Sequence, residues 1–406
     1  MSRLRAVTFA LCLYACASTG ASGDFDQRLK SFSAAQEAHL RTLEAKNQVR
    51  FDASIWEFLA AAKEGRWNAV TNSFRPMKKG EAQWEAAKLH PHVTAIAWPA
   101  IAEVGLATEV YLKLTPRYLA ILTHDLTAHL PPGAVCFAGN DSGRVCAAVF
   151  NQSREQHKLI AFDLAAMGNP VQWKDLQVKF GSSIKLLADV DKRQHGRGIF
   201  DANPDRAFFV VEGHPLDWMN SHLSPHGAVL KLNREPIGKL TDEVLAQDRT
   251  FWSERVKQFL GVDFAPPASL KEACDFVERV YVRSDLKGFG GDPRYLQNET
   301  VRRVYSKLRV AIAGNYFWRI DRSVSEPDER NRMTAEADRA FLQAFVLCPS
   351  SPEVVFRYLN LLTAMGRHDE ALLMADVAFK LAPANNALKS LRPQLESIKA
   401  GASPKK

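Results

Sequence analysis

The chain has 406 residues, 46% of them hydrophobic and 24% charged, with a formal net charge of +8. This length and apolar content can bury a large core and predict two or three domains. Acidic residues are interleaved with the lysines and arginines, so a solvated surface explains the mild positive excess and nucleic-acid binding is disfavoured. No pair among the six cysteines has the C-x-x-C spacing, which disfavours a thiol redox enzyme.

Residues 1–23 have the pattern of an export signal. Arg3 and Arg5 precede an apolar run over residues 6–17, and small residues follow as far as Gly23. The run is too short to span a bilayer, and no later run is long and apolar enough to do so. We therefore predict an exported protein of the bacterial periplasm or cell envelope, with no transmembrane span in the mature chain.

Cys16 offers a second interpretation of this leader. The residues Leu-Tyr-Ala-Cys that end at Cys16 resemble a bacterial lipoprotein processing site, which would acylate this cysteine and tether the chain to a membrane surface. Tyr14 fits such a site poorly. Plain cleavage is therefore favoured, and lipidation of Cys16 is the alternative.

Residues 24–87 are predicted to be helical. Apolar residues recur at helical intervals over residues 24–76. Residues 54–74 are predicted to form a helical hairpin that turns at Gly65, because glycine commonly ends helices.

Residues 88–236 are predicted to form an α/β domain, followed by a helical connector over residues 237–300. Four short β-rich runs, AVCFAG, KLIAFDL, AFFVVEG and AVLKLN, are separated by helical segments and by Gly, Pro and Asn. The strand order does not follow from the sequence. In the connector, residues 288–291 are predicted to be a turn and not a phosphate cradle, because the Gly-Lys-Ser/Thr ending is absent.

The loop after AVCFAG is a candidate catalytic loop. Ligands bind where strands of α/β sheets end. Asp141 stands where a nucleophile elbow would place its nucleophile, and Arg144 could hold an anion. A plain turn is the favoured interpretation, because Asn, Asp, Ser and Gly are the usual turn formers.

The same loop separates two cysteines. Export would permit a disulfide, and Cys136 with Cys146 is the pair best placed to form one if the intervening residues reverse direction. Two buried free thiols are the favoured alternative.

The segment HPLDWMNSHLSPHG contains four side chains of the types that bind zinc, namely His214, Asp217, His222 and His226. Pro225 argues against two of these histidines sharing a helix face. No cluster elsewhere completes a site, so a structural loop is favoured and neither a metal nor a cofactor is predicted.

Residues 301–398 contain a repeat. Four residues recur 34 positions later: Ala337, Ala344, Leu347 and Pro349 return as Ala371, Ala378, Leu381 and Pro383. Thirty-four residues is the period of the tetratricopeptide repeat (TPR). Small residues are needed where its two antiparallel helices cross, and proline ends the second helix.

The fullest copy, residues 352–385, resembles the TPR family. Tyr358 stands at a core position of the first helix, and Gly366 stands at the turn between the helices. The copy departs from the family pattern at Val355, the usual Trp position, and at Leu359, the usual small-residue position. A slight splay of the two helices is therefore expected.

A capping helix over residues 386–398 completes the predicted array, and a disordered basic tail over residues 399–406 follows. The TPR resemblance implies that the first helix of the full copy presents an inward face to a partner. By analogy that face carries five residues: Glu353, Phe356, Arg357, Asn360 and Thr363. Phe356 stands where carboxylate-binding repeats use Lys or Arg, so a free C-terminus is not the expected ligand.

From Ser54 onward the chain also resembles a larger group of proteins. PPGAVCFAGNDSGR, residues 215–236 and GGDPRYLQNETVRRVYSKLRVAIAG are similar to the extramembrane C-terminal region of bacterial multi-span membrane proteins related to protein O-mannosyltransferases. The chain lacks the transmembrane part, where lipid-linked sugar transfer would be expected to reside. The resemblance implies a stand-alone soluble portion that is accessory to envelope glycosylation.

The sequence thus predicts a mixed α+β protein with an N-terminal helical hairpin, a central α/β domain and a C-terminal TPR-like array. The favoured function is a non-enzymatic, exported scaffold that binds a protein or peptide through the TPR groove. The alternative is a carbohydrate-related enzyme or glycan-binding protein in which four side chains converge in one cleft: Asp141, Arg144, Asp217 and His226.

Overall fold

A computed structural model describes most of the chain, over residues 3–81, 96–138, 159–163, 170–187, 195–211, 216–264, 268–322 and 326–402. These residues are mostly helical with a small amount of mixed β structure, which confirms the mixed α+β class. The chain divides into two compact units, Met1–Val211 and Glu212–Lys406. Within the described ranges, no helix is both long enough and apolar enough to cross a bilayer.

The first unit begins with helices. They are α1 (Arg3–Asn47), α2 (Ala53–Glu64), α3 (Trp67–Glu81), α4 (Trp98–Lys113) and α5 (Pro116–Thr127). The hairpin of α2 and α3 turns at Gly65, whose φ of 76° lies in the left-handed region that glycine tolerates best. Phe74 of α3 stacks on Trp98 of α4 with ring centroids 6.0 Å apart, so aromatic packing joins the hairpin to the next helix.

Helix α1 runs through the predicted export signal and through residue 23, where cleavage was expected. A continuous helix does not test cleavage or acylation. Both stay predictions.

Three parallel strands follow in the first unit: β1 (Val135–Ala138), β2 (Ile160–Asp163) and β3 (Phe208–Val211). β1 lies between the other two, with Val135 opposite Ile160 on one side and opposite Phe208 on the other. Every residue of β1 and β3 is buried, as expected for parallel strands covered on both faces. Helices α6 (Pro170–Phe180) and α7 (His195–Ala202) lie between β2 and β3 in the chain.

The second unit opens with a 3₁₀ turn (Asp217–His222) and an antiparallel hairpin of β4 (Leu223–His226) and β5 (Val229–Leu232). The sequence analysis interpreted HPLDWMNSHLSPHG as a structural loop, and this is wrong for residues 223–226, which form β4. Pro225 cannot donate a ladder hydrogen bond, which conceals the strand in the sequence, yet it pairs with Leu230 in the ladder. The hairpin turns at Gly227, whose φ is 60°.

The rest of the second unit is helical. Its elements are α8 (Asp242–Leu260), α9 (Leu270–Val277), a π-helical turn (Glu278–Val282), α10 (Pro293–Gln297), α11 (Glu299–Arg322), α12 (Pro327–Leu347), α13 (Pro352–Ala364), α14 (His368–Leu381), α15 (Asn386–Lys389) and α16 (Leu391–Ala402). From α11 to α14 each helix packs against the next, α16 packs against α14, and α11 also contacts α13.

The predicted disordered tail begins too early. Helix α16 includes residues 399–402, which were assigned to that tail. At this helix end Lys399 forms an ion pair with Asp369 of α14, and one turn earlier in the helix Arg392 pairs with Glu396.

Candidate partner-binding face

Helix α13 has one buried side and one exposed side. Its buried residues include Val355, Tyr358 and Leu362. The five residues predicted from the TPR resemblance lie three or four positions apart, with Phe356 and Arg357 adjacent, which places them together on the other side: Glu353, Phe356, Arg357, Asn360 and Thr363. Phe356 is 37% exposed, and the side chains of Glu353 and Arg357 are 35% and 28% exposed. We call these five residues the α13 face.

Helix α11 contributes a second row that the sequence analysis did not identify. Its members are exposed or half-exposed and also recur at intervals of three and four: Arg303, Lys307, Ala311, Gly314 and Trp318. A methyl group at Gly314 would lie 3.1 Å from Nη1 of Arg357, so this row lies beside the α13 face. We call the two rows together the α11–α13 face.

Charges of both signs meet on this face. Nη2 of Arg357 lies 3.5 Å from a carboxylate oxygen of Glu353. Burial lowers the pKa of the Lys307 ammonium, and the negative charge of Glu353 opposes that shift. Glu353 therefore interacts with cations from both helices.

Contacts on the far side of α13 fix its orientation. The Tyr358 hydroxyl donates a 2.8 Å hydrogen bond to Asp338 of α12, and Arg367 donates to the same carboxylate at 2.8 Å. Arg367 also pairs with Glu370 at 2.6 Å. The Tyr358 ring stacks on Phe341 with centroids 5.8 Å apart. These contacts hold α13 against α12 and so fix the position of the α13 face.

A buried charged cluster supports α11 from its other side. Arg309 is fully buried, and its Nη1 donates to both carboxylate oxygens of Asp248 at 2.9 and 2.8 Å. Its Nε donates to Gln343 at 2.9 Å, and the Tyr316 hydroxyl donates to Asp248 at 2.9 Å. The guanidinium carbon lies 5.1 Å from the centre of the Trp252 ring. The cluster joins α8, α11 and α12. Because the Arg309 and Asp248 side chains are fully buried, we assign the cluster a structural role.

The alternative function, a carbohydrate-related enzyme, was assigned four site residues, and the structure describes two of them. Asp217 is exposed at the start of the 3₁₀ turn, and His226 ends β4. Asp141 and Arg144 lie outside the described residues. Their convergence in one cleft therefore stays a prediction.

His222 has a structural role in the hairpin. Its Nδ1 lies 2.9 Å from the carbonyl oxygen of Asn233, and the ring must donate because a carbonyl only accepts. The Asn233 amide donates back to the His222 carbonyl and to Ser224, both at 2.9 Å. His214 lies outside the described residues. In the part of the chain that the structure describes, no three or more His, Cys, Asp or Glu side chains are grouped to hold a metal ion.

Three cysteines, Cys136, Cys274 and Cys348, are buried and have free thiols. Cys146 lies outside the described residues. Burial raises the pKa of Cys136 and of Cys274 to about 12 and also raises the pKa of Cys348. Thiolate, the reactive form, is therefore scarce at neutral pH.

We expect these three thiols to resist iodoacetamide at pH 8 in the native protein and to be alkylated rapidly after unfolding in urea. Mass spectrometry of tryptic peptides distinguishes them from the other cysteines. Rapid native alkylation of Cys136 would contradict its burial in β1.

Comparison with known proteins returns no relative. No family model, no curated protein and no solved structure matches the chain.

Proposed function

We propose that residues 299–402 form a short TPR array and that the α11–α13 face binds a segment of a protein partner. The observation that carries the proposal is the row on α13, in which Phe356 and Asn360 are exposed, beside the exposed or half-exposed row on α11. Aromatic side chains such as Phe356 are enriched in the cores of protein–protein interfaces. In this proposal the chain is a scaffold and not an enzyme.

Burial of the repeat positions supports the TPR assignment. Five residues that occupy family core positions are buried: Tyr358, Leu362, Ala371, Ala375 and Ala378. Gly366, between α13 and α14, has a φ of 70°, which suits the turn of a helical hairpin. Repeats bury their apolar faces by stacking on neighbours, and α12, α14 and α16 supply such neighbours.

The cellular setting in this proposal rests on the sequence. The leader supports export to the periplasm or cell envelope, with acylation of Cys16 as the alternative. The resemblance to the extramembrane region of O-mannosyltransferase-related proteins supports an accessory role in envelope glycosylation.

Site-specific photo-crosslinking tests the proposal. A benzoylphenylalanine at position 360, on the α13 face, is expected to capture a discrete protein in intact cells. The matched control is the same residue at position 271, because the Lys271 side chain on α9 is 73% exposed. Mass spectrometry identifies the captured protein.

Affinity capture from a cross-linked envelope fraction tests the double substitution Arg357→Ala, Asn360→Ala. We expect this variant to recover none of the captured protein. Its circular dichroism spectrum should match that of the wild type, which shows that the variant is folded. Equal capture at positions 360 and 271, or recovery unchanged by the double substitution, would reject the α11–α13 face as the binding surface.

A further inference from the structure

We propose that Gly314 is a positioning residue of the α11–α13 face, because its lack of a side chain lets the Arg357 guanidinium lie against α11, where the partner contacts it. This inference rests on the proposed function. A methyl group at Gly314 would come within 3.1 Å of Nη1 of Arg357. Arg357 belongs to α13, which packs beside α11, so its side chain reaches from one helix to the other.

Glycine is otherwise unfavourable at position 314. Gly314 lies in the interior of α11, a helix of 24 residues, where glycine is less favourable than alanine. Its backbone is helical, so no left-handed turn requires glycine there. Apart from the nearby backbone and chain neighbours within α11, Arg357 is the only described residue with an atom within 4 Å of the added methyl group. The missing side chain therefore accommodates Arg357.

The guanidinium lies where the two rows of the face meet. Nη2 of Arg357 is 3.5 Å from a carboxylate oxygen of Glu353 on α13, whereas Nη1 is the atom that approaches Gly314. The Arg357 side chain is 28% exposed. Along the α11 row, Ala311 and Trp318 lie one turn to either side of Gly314. A partner segment that lies across both helices would therefore contact the planar guanidinium, a group that is enriched in protein interfaces.

A side chain at position 314 should move Arg357 and leave the two helices in place. Non-bonded heavy atoms pack best at about 3.5–4.0 Å, so a methyl group 3.1 Å from Nη1 is too close. Nη1 ends a flexible side chain and can rotate away, unlike a backbone atom. Alanine requires a small shift of the guanidinium, and leucine requires a larger one. The position of Arg357 therefore changes while the stability of the fold holds.

Photo-crosslinking from benzoylphenylalanine at position 360 measures the effect on the partner. Gly314→Leu is expected to lower the yield of the captured protein at least about fivefold, a loss of about 1 kcal/mol. Gly314→Ala should lower the yield less. The melting temperature of both variants should match or exceed that of the wild type, because alanine and leucine favour a helix over glycine. The control Ala335→Leu adds the same side chain at an exposed position of α12 and should leave the yield unchanged.

A double-mutant cycle tests whether Gly314 acts through Arg357. Arg357→Ala alone should lower the yield by a similar factor. The double variant Gly314→Leu, Arg357→Ala should give no lower yield than Arg357→Ala, because the guanidinium is already absent. If the new leucine instead blocked the partner directly, the double variant would give a still lower yield.

Three results would overturn the inference: an unchanged yield in Gly314→Leu, a further fall in the double variant, or a melting temperature of Gly314→Ala below that of the wild type. The last would show that the packing of α11, and not the position of Arg357, depends on glycine. The proposed function fails separately, because equal capture at positions 360 and 271 without any further substitution would reject the α11–α13 face itself. Specific capture at position 360 that Gly314→Leu leaves unchanged would uphold the face and reject only the role of Gly314.

Discussion

Replacing Arg309 with methionine is expected to lower the free energy of unfolding by about 3–5 kcal/mol, because the substitution leaves the carboxylate of Asp248 buried without its cation. Both side chains of this ion pair are fully buried. Gln343 would lose the hydrogen bond that it accepts from Arg309, whereas Tyr316 would still donate to Asp248. Most domains are stable by only about 5–15 kcal/mol, so the variant should unfold at much lower urea concentration. Equilibrium urea unfolding followed by circular dichroism measures the change.

Two comparisons isolate the buried charge as the cause. Arg303→Met removes an exposed arginine of the same helix that pairs with Glu299, and it should change the free energy of unfolding by less than about 1 kcal/mol. The double variant Arg309→Met, Asp248→Leu should recover part of the loss, because it removes the buried carboxylate. It should not recover all of the loss, because the Tyr316 hydroxyl then lacks its acceptor. A double variant less stable than Arg309→Met would show that the orphaned carboxylate is not the main cause.

Local features of this fold were predictable because they depend on neighbours in the sequence. The helical periodicity of residues 54–74 and the glycine at position 65 predicted two helices and a turn, and α2 and α3 meet at Gly65. The four β-rich runs contain β1, β2, β3 and β5, since aromatic and β-branched residues suit buried strands. The spacing of the α13 residues likewise determined that they share one side of a helix.

Features that depend on distant residues were not predictable. Arg309 stands on the buried side of α11, and its partner Asp248 is 61 positions away, so no local pattern pairs them. The periodicity of α11 defines a row from Arg303 to Trp318 but does not say which helix lies beside it. The proximity of Gly314 to Arg357 emerged only when α11 and α13 were placed together.

Packing explains the Gly-Phe-Gly-Gly segment at residues 288–291. The sequence predicted a turn without a ligand, and Gly288 does have a φ of 71°. The neighbouring glycines lie against the end of α8. A methyl group at Gly261 would lie 2.5 Å from the carbonyl carbon of Gly290. The two backbone segments approach so closely that there is no room for a side chain at Gly261.

Gly291→Ala is accordingly expected to destabilise the protein by about 3 kcal/mol, at the upper end of the usual cost of overpacking. The new methyl group would lie 2.5 Å from the carbonyl carbon of Leu260 and would overlap the carbonyl oxygen of Phe259. These are backbone atoms and cannot rotate away. The loop cannot retreat either, because the Asp292 amide donates a 2.9 Å hydrogen bond to the same Phe259 oxygen and Tyr295 stacks on the Phe259 ring at 4.3 Å.

The matched control is Gly290→Ala, one residue away in the same loop. Its methyl group would meet the nearest atom, Cα of Gly261, at 3.7 Å, which is ordinary van der Waals contact. That variant should be neutral or gain up to about 1 kcal/mol, because alanine restricts the unfolded chain more than glycine does. Thermal unfolding of the two variants measures the difference, and similar melting temperatures would mean that the loop moves away from α8 at little cost. A large gap between them would establish that the glycine at position 291 is required by the backbone of α8 and not by a ligand.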